Sequence, residues 1–143
     1  MILDSQLLFT DAQALTATAA STNSVDFGST LDLGLGEEIW IALNVDVAFT
    51  DAGSDSTITI TIENDADSAF GSPTTVQTLG TFPALSAVGA AIFARIQPGA
   101  IVERYARLKY TTANGNLTTG SVTAAIVTGI QKQVIYPKGY VIS

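Results

Sequence analysis

The side chains best equipped for chemistry in this chain are its carboxylates. Asp51 and Asp55 flank one turn-forming cluster, and Glu63, Asn64, Asp65 and Asp67 crowd a second. A calcium ion needs several oxygen ligands of this kind on one loop. An EF-hand loop also needs a glycine and a distal glutamate at set positions. Here the pattern runs from Asp65 and Asp67 into Ala69 and Phe70, with no glutamate at the twelfth position. The match fails. Solvated turns that use Asp and Asn for local hydrogen bonds account better for both clusters. Paired carboxylates could also hydrolyse glycosides. Glu37, Glu38, Glu63 and Glu103 are the candidates, but no spacing sets two of them across a cleft. Few aromatics and a single Trp40 make a thin platform for sugar stacking.

Nucleophilic chemistry fares no better. The chain has no histidine and no cysteine. This removes the commonest general base, the commonest metal ligand, any thiol nucleophile and any disulfide framework. A serine nucleophile would then need a lysine base. Lys109, Lys132 and Lys138 fall in strand-like or tail segments, and no Ser-x-x-Lys motif occurs. Gly34 and Gly36 in LDLGLGEE lack the third glycine and the following helix of a phosphate-binding loop. The expectation is a chain with no catalytic residues, no cofactor and no metal.

One motif is left, the cationic run RYARLKY. It holds three of the six basic side chains, Arg104, Arg107 and Lys109. Strand geometry sets Tyr105, Arg107 and Lys109 on one face, and Ala106, Leu108 and Tyr110 on the other with Arg104. Either this is a solvated face whose arginine stems cover apolar surface, or it is an interface stripe. Arg and Tyr suit an interface because they join contact area to directed hydrogen bonds, and the two readings stand level.

The elements that position this motif are strands. Residues 104–127 predict two of them, joined as a hairpin by an Asn-Gly loop. In Ile39–Thr50 the odd positions Ile39, Ile41, Leu43, Val45, Val47 and Phe49 form an apolar face, with Asn44 and Asp46 on the other. Ile58, Ile60 and Ile62 alternate with threonines and Glu63 in the same way. The cluster at residues 51–56 predicts that these two strands pair as a hairpin. Further strands are expected at Thr74–Phe82, Ala90–Ile96, Tyr105–Thr112 and Ser121–Val127, with weaker signals at Gln13–Ala19 and Ser24–Phe27. Leu31–Glu38 and Asp65–Pro73 read as loops, Gln97-Pro98-Gly99 as a tight turn, and Phe82–Val88 allows a short helix. Short strands between turn signals predict an all-β fold, a β-sandwich or a jelly roll.

The 143 residues predict one domain, with residues 1–10 as an N-terminal arm and 131–143 as a C-terminal tail. Both ends are apolar. The tail, QKQVIYPKGYVIS, is interrupted by Pro137, so it predicts an edge strand, a core plug or an arm that docks on a partner. Its Tyr136 and Tyr140 join Arg104, Tyr105, Arg107 and Lys109 as candidate contact residues. Charged residues are only 13% against a usual share of about 25%. The net charge of −7 argues against a nucleic-acid binder, which needs a cationic footprint. The N-terminus lacks a basic region before a long apolar core, so no signal peptide is expected. No window approaches the roughly 20 apolar residues of a membrane helix.

The order of several segments resembles the phage capsid cement proteins typified by that of a Bordetella short-tailed bacteriophage. They are the N-terminal MILDSQLLFTDAQA, STNSVDFG, RYARLKY with its Asn-Gly loop, TGSVTAAIV and the Tyr136-Pro137 tail. The resemblance implies an all-β jelly-roll β-sandwich on the outer surface of an icosahedral head. It implies a homodimer or homotrimer that clamps neighbouring subunits of the major capsid protein. It brings no catalytic residue. The alternative is a jelly-roll carbohydrate- or receptor-binding module of a virion.

Overall fold

The computed structural model describes residues 3–28 and 38–128. Strand-forming alternation becomes nine antiparallel strands among these residues. They are β1 (Leu8–Ala14), β2 (Ala19–Ala20), β3 (Val25–Asp26), β4 (Trp40–Thr50), β5 (Thr57–Asp65), β6 (Thr74–Phe82), β7 (Ala91–Arg95), β8 (Tyr105–Ala113) and β9 (Thr119–Val127). A single 3₁₀ turn, Ser5–Leu7, precedes them; Asp4 caps it by accepting from the Gln6 N–H at 2.9 Å.

The strands divide into two packed sheets. The first has the order β1-β9-β4-β7, and the second β2-β8-β5-β6 with β3 also paired to β8. The two short strands act as one interrupted edge. Ala19 and Ala20 lie opposite Tyr110 and Lys109, and Val25 and Asp26 opposite Ala106 and Tyr105. Counting them so, the chain crosses between sheets in the double Greek-key order of an eight-stranded jelly roll, as expected.

Both predicted hairpins are corrected. β4 and β5 lie in different sheets, and so do β8 and β9. Turn residues reverse the chain without saying which sheet receives it. Here both connections are corners at one end of the sandwich, and they are tied together. The Ser56 hydroxyl donates to the Asn114 carbonyl at 3.4 Å, and the Asn114 amide donates to the Asp55 carbonyl at 3.3 Å. Asn114 and Gly115 turn this corner with φ of 62° and 117°, the left-handed region that such residues tolerate.

The core fills the space between the sheets. Ile41, Leu43, Val45 and Phe49 face Ile58, Ile60, Ile62, Leu108 and Tyr110, all essentially inaccessible to water. Phe49 meets Phe82 edge to face, with ring centroids 5.6 Å apart. Tyr110 is the largest fully buried side chain, and its hydroxyl lies 3.1 Å from that of Thr10 across the sandwich. Burial pushes the Tyr110 phenol well above its ordinary range, and the Thr10 bond offsets this only in part.

Four further expectations change. Val47 is 50% exposed, because β4 is bulged against β9 between Val45 and Val47 and the alternation slips. Leu8–Thr10, assigned above to an arm, belong to β1, and Phe9 and Thr10 are fully buried. Gln13–Ala19 is not one strand but the end of β1, a bend and the first residue of β2. Residues 83–90 form turns with Leu85 at φ 60°, not a helix. Most of the Leu31–Glu38 segment and the whole 131–143 tail lie outside the described residues.

Candidate functional site

The site is built on β8. Its register against β5 sets Tyr105 opposite Asp65, Arg107 opposite Glu63 and Lys109 opposite Thr61. All six point away from the core, because the intervening Ala106, Leu108 and Tyr110 fill the interior. The predicted face of Tyr105, Arg107 and Lys109 is therefore present, on the outer surface of the second sheet. Successive members stand about 7 Å apart, two residues of extended chain.

Arg104 departs from its predicted face. It precedes β8, where the chain bends, and is not held by the strand's alternation. Its guanidinium turns outward and forms a two-point pair with Asp26, Nε to Oδ1 at 2.8 Å and Nη2 to Oδ2 at 2.9 Å. The same group lies 5.0 Å over the Tyr105 ring. Arg104, aided by the Gly28 N–H, holds the Asp26 carboxyl below its usual range, and the arginine is raised in turn.

Arg107 is more enclosed. Its Nε donates to Glu63 Oε2 at 3.0 Å, with side-chain exposures of 21% and 12%. Its guanidinium also lies 4.4 Å over the Phe70 ring. Phe70 reaches this place through a turn in which it adopts φ 50° and its N–H donates to the Asp67 carbonyl at 3.0 Å. Composition and spacing gave Phe70 no role and treated Glu63 as part of an acidic turn. Cross-strand charge pairing would have found Glu63, had the β5–β8 register been known. Nothing in the sequence pattern marks Phe70.

The acidic clusters resolve into turn chemistry. Asp51 Oδ2 accepts from the Asp55 and Ser56 N–H groups at 3.2 and 3.1 Å. Hydrogen bonds led by the Ser56 side chain pull the Asp51 carboxyl down to about 2. Asp65 accepts from the Asp67 and Ser72 N–H groups, each at 3.0 Å, and these bonds lower its carboxyl as well. Among the described residues no three acidic side chains converge as a metal-holding group. Glu103, the other strand-end glutamate considered, sits in the loop before β8. The buried Asn64 carboxamide can orient its oxygen toward the Val102 and Glu103 N–H groups at 3.1 and 3.3 Å. Tyr136 and Tyr140 lie outside the described residues.

Residues 9–126 match the Bbp16 family. The chain belongs to this Bordetella phage protein family. No curated protein matches the sequence. Among solved structures, a chain in the structure of infectious bursal disease virus Gx strain shares the fold at a TM-score of 0.52 and 13% identity. The alignment covers 84% of this chain and 30% of that one, so this chain spans under a third of its length. The likeness is one of fold. Membership of the Bbp16 family places the chain in the coarse class of virion structural protein.

Proposed function

We propose that this Bbp16-family chain is a capsid cement protein. It binds the outside of an icosahedral phage head as a homodimer or homotrimer and bridges neighbouring major capsid protein subunits. Family membership over residues 9–126 is the observation that carries this reading. The outward stripe on β8 supplies the contact chemistry: Tyr105 and Lys109 flank an Arg107 already oriented by Glu63 and Phe70. Arg104 extends the stripe beyond the strand. Side chains held in place before contact lose little conformational entropy on binding. Tyr136 and Tyr140 add aromatic contacts from the tail.

The mechanism is mass action. A clip that binds only the assembled lattice stabilises it by its own binding free energy. Joining two or three copies raises the effective concentration of each at its neighbouring site. The test is cosedimentation of the purified full chain with phage heads that lack it. Saturable binding, weakened by Lys109→Glu and by Arg104→Glu, is the expected result. A folded chain that stays in the supernatant at every concentration would sink the proposal.

A further inference from the structure

The outer face of the first sheet differs from the β8 stripe, being floored by small and apolar side chains. Ala42, Asn44 and Asp46 of β4 point to this face, with Phe93 of β7 and Thr123 and Ala125 of β9. With Leu3 they line a groove of about 330 Å³. Phe93 and Leu3 at its margin are 43% and 44% exposed, and Ala125 in the floor is 1% exposed. The groove has one acidic point. Asp46 Oδ2 accepts from the Thr123 hydroxyl at 2.6 Å, and that hydroxyl oxygen accepts from the Ala12 N–H at 2.9 Å.

We infer that this groove is the docking site of the chain's own C-terminal tail, with Ile135 seated over Asn44 and Thr123. Three observations support this occupant. The first is reach. β9 runs along the groove floor and ends at Val127, opposite Trp40. The groove centre, at the Asn44–Thr123 pair, lies four residues back, roughly 13 Å. The seven residue-to-residue steps from Thr128 to Ile135 can span up to about 23 Å, enough to double back over the face.

The second is charge. Residues 1–128 hold all thirteen acids against four bases, a net −9, while 129–143 hold two lysines and no acid. Lys132 and Lys138 flank the apolar Val134-Ile135-Tyr136, so seating Ile135 brings two cations close above an acidic body. The third is shape. The residue before a proline is biased to extended backbone, which suits Tyr136 before Pro137. Extended chain alternates sides, so seating Ile135 turns Val134 and Tyr136 outward. Tyr136 thus stays available to a partner.

Docking does not depend on capsid binding, and the free full-length chain tests it. The chain has no cysteine, so introduced pairs report without background. Ala91→Cys with Ile135→Cys probes the exposed groove edge, and Asn44→Cys with Ile135→Cys probes its floor. Thr111→Cys with Ile135→Cys, on the outer face of the other sheet, is the control. Under mild oxidation both groove pairs should give intramolecular disulfides roughly tenfold faster than the control, as a high effective concentration requires. Asp46→Asn or added salt should slow them. Groove pairs no faster than the control would overturn the docking. Crosslinked dimers in place of monomers would overturn it in favour of a second copy's tail. Rates indifferent to both Asp46→Asn and added salt would overturn the charge argument for this occupant.

Discussion

The two outward faces of this sandwich come from different strands, and they are opposite in character. On the second sheet, Thr57, Thr59, Thr61 and Glu63 of β5 stand beside Tyr105, Arg107, Lys109 and Thr111 of β8. The inward Ile58, Ile60, Ile62, Ala106, Leu108 and Tyr110 between them are fully buried, so the alternation is clean over this stretch and the outer face is polar. On the first sheet, β9 reads Ser121-Val-Thr-Ala-Ala-Ile-Val127, and Ala125 and Val127 are buried although they point away from the core. A strand buried on both faces is covered on both faces. The polar face is finished within the described residues. The apolar one has Leu3 at its margin and room for more.

A charge placed on each face should separate them most sharply. Ala125→Arg introduces an unpaired cation at a fully buried position and is expected to cost about 3 kcal/mol or more. Thr111→Arg, exposed on the other sheet, should stay within about 0.5 kcal/mol. Denaturant midpoints of the two variants check this. Equal midpoints would show that the first sheet's outer face is as open as the second's. Next in size is Arg107→Ala. It strips Glu63, the less exposed partner, of its counter-charge and uncovers Phe70, so a loss of about 1–2 kcal/mol is expected. Adding Glu63→Gln should recover part of it in a double-mutant cycle. An Arg107→Ala variant as stable as the parent would make the polar face a solvated surface throughout.

These faces were unequally legible in the sequence. The TITITIE run of β5 and the YARLKY run of β8 declare their buried sides by period two, and both sides are where that period sets them. Sheet membership is another matter. The corners at residues 51–56 and 114–118 carry the same Asp, Asn, Gly and Ser that a hairpin would. Only the global packing of two sheets decides that each corner changes layer. The Arg107–Glu63 pair joins residues 44 positions apart, and the Arg104–Asp26 pair joins residues 78 apart. Such pairs need the register of distant strands, which composition does not contain. The jelly roll was readable because strand count and turn spacing survive such errors.

The bulge in β4 offers a smaller test on the apolar face. Strict alternation buries Val47, whereas the bulge turns it out to 50% exposure. Val47→Thr should therefore change stability by less than about 0.5 kcal/mol. A buried hydroxyl without a partner would cost about 1–3 kcal/mol, so a loss of that size would restore the unbulged register.

Arg104→Gln should have the smallest effect on stability, because both members of its pair with Asp26 are close to half exposed and water screens them. Its informative readout is titration. Asp26 sits below 3.8 chiefly because the guanidinium binds its ionised form. A depressed carboxyl contributes stability above the unfolded value and loses it as pH falls through the folded one. The pair's share is thus present at neutral pH and fades only in acid. In Arg104→Gln the Asp26 carbon resonance should titrate closer to 3.8, moving up from its position in the parent, with the unfolding midpoint at neutral pH lowered only slightly. A midpoint that falls as far as that of Arg107→Ala would mean that the bend before β8 depends on this pair. The polar face would then owe its order to its open end as much as to the enclosed Arg107. An unmoved Asp26 titration would detach Arg104 from Asp26 and leave it free for the contact assigned to it on the capsid.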